Sequence, residues 1–181
     1  MSNNHVYALE NEASIGSRVL QPGRYDTNCS LNPDNVIGAL AAFETIEFTG
    51  ANNTIDAAIA LSTIADLGNA TPANGYRTPK SATVAAFIYQ AVQKYGRTTS
   101  LTKGTVTGIN ATIKVSYTAG IATFVNQIVV QSLKPFIKAG DSGSLLVTDP
   151  ERKPVGLLFA GDSSGKMPSP TPLTRYWGGL V

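Results

Sequence analysis

Short apolar runs separated by glycine, proline and asparagine make up most of this chain. The runs are rich in Val, Ile and Thr and are too short for typical helices, a pattern that predicts β-strands. We predict strands over residues 15–20, 36–48, 55–61, 90–95, 105–109, 113–117, 121–130, 145–148 and 155–160. The Asn- and Asp-rich residues 24–35 and the Gly- and Pro-rich residues 161–172 are predicted to be loops. We therefore expect a mostly β protein.

Composition and charge narrow the classes of function. A chain of 181 residues can bury the core of one domain or of two small ones. The net charge of +2 and the charged fraction of 14% give no nucleic-acid footprint, and no apolar stretch approaches the ~18 residues of a membrane span. We expect neither nucleic acid nor a membrane as partner. No signal peptide is visible, and Cys29 is the single cysteine, so a cytosolic location fits.

The segment Ala-Gly-Asp-Ser-Gly-Ser at residues 139–144 lies between two apolar runs. We interpret it as a tight turn between strands that presents one hydroxyl, that of Ser142. The flanking Gly140 and Gly143 allow backbone angles that residues with a Cβ resist, so the N–H groups of the turn can point just beyond the Ser142 oxygen. A serine nucleophile with two backbone donors suits acyl transfer. An ordinary polar turn is the alternative interpretation.

A nucleophilic serine requires a base, and the chain has one histidine, His5. Asp56 lies alone within an apolar run, where a buried carboxylate must be paired or hydrogen-bonded. It is a candidate to hold the imidazole, and the order His5, Asp56, Ser142 is one of the chain orders in which such triads occur. The structural alternatives are an aspartate satisfied by other donors and a histidine that merely lies near a chain end.

The chain resembles the chymotrypsin-like (trypsin-like) serine peptidases, especially the small bacterial branch that includes alpha-lytic protease. The similar segments are Asn-Asn-His-Val at 3–6, Thr-Ile-Asp-Ala-Ala at 54–58, Tyr-Gly-Arg-Thr-Thr-Ser at 95–100 with Gly-Thr-Val-Thr at 104–107, and Gly-Asp-Ser-Gly-Ser at 140–144. The serine motif is the most specific of them. All of them occur in the order of the family.

The resemblance implies an all-β fold of two antiparallel β-barrels with the active site in the cleft between them. Matched residue by residue, Ser142 is the nucleophile, His5 is the general base and then the acid, and Asp56 orients the imidazole. The backbone N–H groups of Gly140 and Ser142 form the oxyanion hole. No cofactor and no metal are implied.

The resemblance also implies where a peptide or protein substrate binds. The strand that pairs with the substrate backbone comprises Leu158, Phe159, Ala160 and Gly161. Phe136, six residues before the serine, lies near the base of the primary specificity pocket. Since that position holds no carboxylate, we do not expect a strong preference for Lys or Arg.

One structural pair follows from the same resemblance. Asp141 lies beside the nucleophile in a partly buried turn, where a carboxylate requires a cationic or multiply donating partner. The bacterial branch supplies an arginine in the segment that Gly96-Arg97-Thr98-Thr99 resembles. We therefore expect Arg97 to pair with Asp141, and a solvated surface position is the alternative for Arg97.

The chain departs from the family pattern before His5. In the family, strands of the first barrel precede the histidine, and here it is the fifth residue. We expect an incomplete N-terminal barrel at residues 1–75, which carries His5 and Asp56. A connection follows at 76–90, and a C-terminal barrel at 91–181 carries Ser142. The open edge of the incomplete barrel predicts self-association.

Three explanations of this departure lead to different functions. The natural protein starts upstream of Met1, another copy or chain supplies the missing strands, or the chain is a peptidase-derived binding or structural module without activity. We favour the first and expect a serine endopeptidase that is inactive or weak in this shortened form. A serine esterase or amidase is a further alternative, because a triad alone does not separate peptide from ester hydrolysis.

Overall fold

Two β-sheets form most of the molecule. The computed structural model describes residues 1–30 and 32–173. Within them lie a short helix, α1 (Asn4–Tyr7), two 3-10 helices (Arg24–Thr27 and Pro33–Asn35) and ten strands. The strands are β1 (Arg18–Leu20), β2 (Val36–Phe43), β3 (Asn52–Asn53), β4 (Ala58–Leu61), β5 (Ala91–Gly96), β6 (Ser100–Ser116), β7 (Ile121–Gln131), β8 (Leu145–Thr148), β9 (Pro154–Gly161) and β10 (Pro168–Pro172).

The first sheet has three strands in the order β1-β2-β4, and all its pairings are antiparallel. A small core of Ala8, Leu40 and Ala58 lies against it. We predicted one strand over residues 36–48, and β2 ends earlier, at Phe43. The reason is that the side-chain amides of Asn11 and Asn53 hydrogen-bond the backbone at residues 46 and 47, where a neighbouring strand would otherwise pair.

The second sheet has seven strands in the order β10-β9-β8-β5-β6-β7-β3. The predicted strands at 105–109 and 113–117 form one continuous strand, β6, because irregular pairing with β7 around Asn110 absorbs the interruption. Residues 161–172 were predicted to be a loop, and their last part forms β10. Its alternating prolines are tolerated because β10 is an outer strand with one paired neighbour.

β10, at one end of the second sheet, lies beside β7, the last but one strand at the other end, without closing the backbone ladder. Thr171 on β10 donates its hydroxyl to Gln127 Oε1 on β7 at 2.9 Å, and this bond is buried. The main core lies within this sheet and comprises Val92, Val106, Ile128, Val130, Phe136, Ile137, Leu146, Val155 and Leu158. In the described part of the chain, no helix is long and apolar enough to cross a membrane. The predicted all-β fold is confirmed as a fold of two sheets, and in the described residues neither sheet closes into the barrel that we expected.

Candidate active site

His5 and Asp56 form a close pair, as the sequence predicted. His5 Nδ1 lies 2.5 Å from Asp56 Oδ2, and the backbone N–H of His5 donates to Asp56 Oδ1 at 3.3 Å. The His5 side chain is 20% exposed, whereas that of Asp56 is completely buried. A carboxylate bound at Nδ1 keeps the proton of a neutral imidazole on that nitrogen. We assign the tautomer accordingly, and Nε2 is then the basic nitrogen.

The segment before His5 holds Asp56 in place. Ser2 pairs antiparallel with Ala58, through backbone hydrogen bonds of 2.9 and 2.7 Å. Asn3 is buried and donates its side-chain amide to the backbone oxygen of Asp56 at 2.8 Å. Residues 2–5 and 56–58 therefore form one small hydrogen-bonded unit, which holds the backbone of Asp56 beside that of His5.

Tyr117 is a third member of this group that the sequence analysis missed. It follows β6 in the turn to β7, and its hydroxyl donates to Asp56 Oδ2 at 2.9 Å. Burial, followed by the negative charge and hydrogen bonding of Asp56 and the more distant charge of Glu10, raises the pKa of Tyr117 far above its usual value. No sequence signal marks this tyrosine, because its partner lies 61 residues away in the chain.

Ser142 lies in the predicted turn before β8. The turn is closed by backbone hydrogen bonds from Asp141 to Lys138 and from Ser144 to Asp141, and Gly143 donates to Leu158 on β9 at 2.8 Å. Ser142 is half-buried. Within residues 1–30 and 32–173 its hydroxyl makes no hydrogen bond, so the structure pairs His5 with Asp56 and leaves Ser142 unpaired.

The predicted oxyanion donors are both available. Gly140 has a φ of +94°, which is strained for a residue with a side chain. Among the described residues, neither the N–H of Gly140 nor that of Ser142 donates to a protein acceptor. Two free backbone donors that flank a candidate nucleophile match what a developing oxyanion requires.

Ser2 connects the serine turn with the His–Asp pair. A Cβ built on Gly143 would overlap Ser2 Oγ, so Ser2 packs directly against the residue that follows Ser142. The same Ser2 pairs with Ala58, two residues after Asp56. All three candidate catalytic residues therefore lie on segments that meet at Ser2.

The carboxylate of Asp141 is buried beneath the turn and fully hydrogen-bonded. It accepts from the backbone N–H groups of Thr98 (2.8 Å), Thr99 (3.1 Å) and Lys138 (2.9 Å), and from the Thr99 hydroxyl (2.7 Å). Burial by itself raises the pKa of this carboxyl, but the donated hydrogen bonds outweigh burial, and the net effect is a lowered pKa. Asp141 is therefore an ionised anchor for the turn.

The predicted pair of Arg97 with Asp141 is wrong. Arg97 is half-exposed and forms its ion pair with Asp26, whereas Lys94 is the cation beside Asp141, with Nζ 3.4 Å from Oδ2. Both Lys94 and Asp141 are completely buried. The reason lies in the strand: Lys94 is within β5 and faces inward, whereas Arg97 follows the end of β5, where its half-exposed side chain lies against Gly140 and pairs with Asp26.

The candidate substrate strand is only partly exposed. Leu158 and Phe159 are buried, whereas Ala160 is half-buried and Gly161 is exposed. β9 pairs with β10 along one edge, and β8 covers the other edge only as far as Leu157, after which Leu158 bonds to the serine turn. Beyond Leu158 that edge has no strand alongside it in the described residues, so its geometry allows an added peptide strand.

Phe136 does not lie where a substrate could touch it. Its side chain has no exposed surface and packs in the main core. Lys94 Nζ lies 5.9 Å from the centre of its ring, and the Phe136 backbone oxygen accepts from the Thr102 hydroxyl at 3.0 Å. The position of Phe136 near the base of a specificity pocket stays a prediction; in the structure its side chain offers no surface to a ligand and lies near Lys94 within the core.

Solved structures share this fold over nearly the whole chain. A glutamic acid-specific serine protease matches with a TM-score of 0.63 and 21% identity, over 98% of this chain and 81% of its own. Thermobifida fusca protease A gives 0.62 and 22%, over 93% and 79%. Nocardiopsis protease gives 0.63 and 20%, over 93% and 78%. At these identities the likeness establishes the fold, and the chain has the fold of the chymotrypsin-like bacterial serine proteases.

The sequence also matches the family model of the Nal1 C-terminal domain over residues 6–169. Because this match covers most of the chain, the protein belongs to the Nal1 C-terminal domain family. Asp56 and Ser142 lie inside the matched range, and His5 directly precedes it. No curated protein matches the sequence.

Proposed function

We propose that this protein is a serine-type endopeptidase in which Ser142 is the nucleophile, His5 the general base and Asp56 the group that orients the imidazole. The observation that carries the proposal is the 2.5 Å contact between His5 Nδ1 and Asp56 Oδ2. It leaves Nε2 as the basic nitrogen, on a segment that packs against the serine turn through Ser2 and Gly143.

The chemistry that these residues support is acyl transfer in two steps. Ser142 Oγ attacks the carbonyl carbon of the peptide bond and gives its proton to His5 Nε2, while the N–H groups of Gly140 and Ser142 stabilise the oxyanion. His5 returns the proton to the leaving amine as the C–N bond breaks, which leaves an acyl ester on Ser142. A water molecule, deprotonated by His5, then hydrolyses this ester.

The proposal requires the Ser142 hydroxyl to come within hydrogen-bond distance of His5 Nε2 when substrate binds. Catalytic hydrogen bonds are often long or poorly aligned in a substrate-free enzyme and tighten when substrate binds. A peptide that adds as a strand beyond Leu158 would lie beside the serine turn, because Leu158 is itself bonded to Gly143 and Ser144. Substrate binding and alignment of the nucleophile are therefore expected to occur together.

A second candidate function is a peptide-binding module without hydrolysis. The observation that favours it is the Ser142 hydroxyl, which has no hydrogen bond to His5 in the described structure. Such a module would keep the open edge of β9 and its affinity for extended peptides. It would leave Ser142 unreactive.

Labelling with a fluorophosphonate probe separates the two candidates. We expect the wild-type protein to be labelled at Ser142, as located by mass spectrometry. Ser142→Ala should not be labelled, and His5→Ala should be labelled much more slowly. Ser81→Ala, which removes an exposed hydroxyl far along the chain from the turn, serves as the control and should be labelled like the wild type.

Hydrolysis of matched peptide and ester substrates then tests the class of reaction. The endopeptidase proposal predicts cleavage of internal peptide bonds, with a loss of several orders of magnitude in Ser142→Ala. Turnover of esters alone would replace it with an esterase. A wild-type protein that binds extended peptides but neither reacts with the probe nor cleaves would instead establish the binding module.

A further inference from the structure

The turn between β6 and β7 reaches from the second sheet to the His–Asp pair of the first unit. The Tyr117 hydroxyl donates to Asp56 Oδ2 at 2.9 Å. In return, Glu10 accepts from the backbone N–H groups of Thr118 (3.2 Å) and Ala119 (2.8 Å). The turn is thus bonded both to Asp56 and to the segment that follows His5.

The ring of Tyr117 is held by aromatic neighbours. Its centre lies 5.8 Å from that of His5, 5.8 Å from that of Phe48 and 6.2 Å from that of Phe124. The ring of Phe48 meets it edge-on, at 77°. A ring packed on several sides cannot easily move its hydroxyl oxygen away from Asp56. The bond to Asp56 is therefore preorganised.

Each oxygen of Asp56 has a distinct set of donors. Oδ1 accepts from the His5 backbone N–H, and Oδ2 accepts from both His5 Nδ1 and Tyr117. Without the tyrosine hydroxyl, the imidazole would be the only donor to Oδ2, and the carboxylate could rotate with it. The raised pKa of Tyr117 keeps its hydroxyl protonated at neutral pH, so it acts as a donor throughout the working range.

We propose that Tyr117 is a positioning residue that fixes the Asp56 carboxylate from the second sheet and thereby sets the orientation of the His5 imidazole. The inference rests on the proposed function for its catalytic consequence. Its structural part is that the His5–Asp56 bond depends on Tyr117, and this part can be tested whether or not the protein hydrolyses peptides.

The single histidine makes this bond directly measurable. The chain has one His, so in protein labelled with ¹⁵N-histidine the Nδ1–H resonance belongs to His5 without further assignment. In Tyr117→Phe, which keeps the packed ring and removes only the hydroxyl, we expect this resonance to move and its exchange with water to accelerate. Tyr89→Phe, which alters an 82% exposed residue, is the control and should leave the resonance unchanged.

Kinetics provide the second readout. Tyr117→Phe keeps the ring, which packs in the cluster that includes Phe159 and Ala160, and removes only the hydroxyl bonded to Asp56. It should therefore lower kcat about tenfold, equivalent to ~1.4 kcal/mol of transition-state stabilisation, with KM little changed. If the wild-type protein proves inactive, the proposed function fails while the resonance still tests the positioning role. An unchanged resonance and exchange rate in folded Tyr117→Phe would overturn the inference.

A second substitution covers the case in which Tyr117→Phe does not fold. Site-specific 3-fluorotyrosine at position 117 keeps the hydroxyl and makes it a stronger donor. The Nδ1–H resonance of His5 should then move away from its wild-type position, while the protein keeps its fold. A resonance at the wild-type position in this protein would equally overturn the inference.

Discussion

Lys94 Nζ lies 3.4 Å from Asp141 Oδ2, and neither side chain has any exposed surface. Lys94 is held further by the Thr99 hydroxyl and by the backbone oxygen of Ser100, at 3.2 Å from the latter. The cation beneath the serine turn is therefore Lys94, a buried residue of β5. Within residues 1–30 and 32–173, neither the N-terminal amine nor an arginine forms an ion pair with Asp141.

Replacing Lys94 should destabilise the protein strongly. Lys94→Met leaves a buried carboxylate without its cation, a change that typically costs ~3–5 kcal/mol. Arg97→Met is the matched control: its ion pair with Asp26 is half-exposed, so the loss should stay within about 1 kcal/mol. Urea denaturation measures both. Equal losses in the two variants would contradict a special role for the buried pair.

Stability should fall at acid pH through Asp141. Its pKa in the folded protein is lowered from the usual 3.8, so the unfolded chain binds more protons in this range and stability rises with pH. The contribution is complete above about pH 3.8 and is lost as the pH falls through the lower folded value. Urea denaturation between pH 6 and pH 3, approximate limits that bracket the usual carboxyl range, should show a weaker pH dependence in Asp141→Asn. An identical dependence in both proteins would refute this.

Strands could be predicted from the sequence where the local pattern of apolar residues and turns is sufficient to define them. Residues 145–148 form a strand with the predicted bounds, because an apolar run between two turns has one favourable arrangement. β10 was missed because prolines signal a loop locally, and only the neighbouring β9 makes a strand of it. The end of β2 was missed for a similar reason, since the bonds from Asn11 depend on packing across the chain.

Some residues of the candidate site could likewise be predicted from the sequence, and others could not. His5 and Asp56 could be paired from the sequence because the chain has a single histidine and Asp56 is alone within its apolar run. Arg97 was expected because of the family resemblance, and Lys94 was not considered, since the sequence does not show that its side chain faces inward beneath the serine turn. Tyr117 could not be found at all, since its role depends on how a hairpin of the second sheet lies over the first unit.

Gly140 should be intolerant of a side chain for two separable reasons. Its φ of +94° costs an L-residue about 1–2 kcal/mol, and a Cβ would come within 2.6 Å of Thr98 Oγ1. Gly16 has a φ of +90° and open space around it, so Gly16→Ala measures the backbone strain alone. We expect Gly140→Ala to lose more stability than Gly16→Ala and to react more slowly with the fluorophosphonate probe. Equal stability losses and wild-type labelling would contradict this account.

We expect the protein to self-associate through the outer edge of β4. β4 pairs with β2 on one side, whereas on the other side Ala58 alone is bridged, by Ser2, as far as the described residues go. Leu61 at its end is 74% exposed, and an unpaired apolar strand edge is a template for another chain. Sedimentation should show concentration-dependent association that Leu61→Lys reduces. Leu133→Lys, at a 96% exposed site outside β4, should not reduce it, and a monomeric wild-type protein would refute the prediction.

The bond from Tyr117 to Asp56 also joins parts of the chain that are synthesised at different times. It joins residues 61 positions apart, and Ser142 lies further along the chain still. A growing or partly folded polypeptide therefore has its histidine and aspartate long before it has the hydroxyl that steadies them. Under the proposed function, the site therefore lacks both its nucleophile and its positioning hydroxyl early in synthesis, when the nearest peptides are unfolded parts of the same chain.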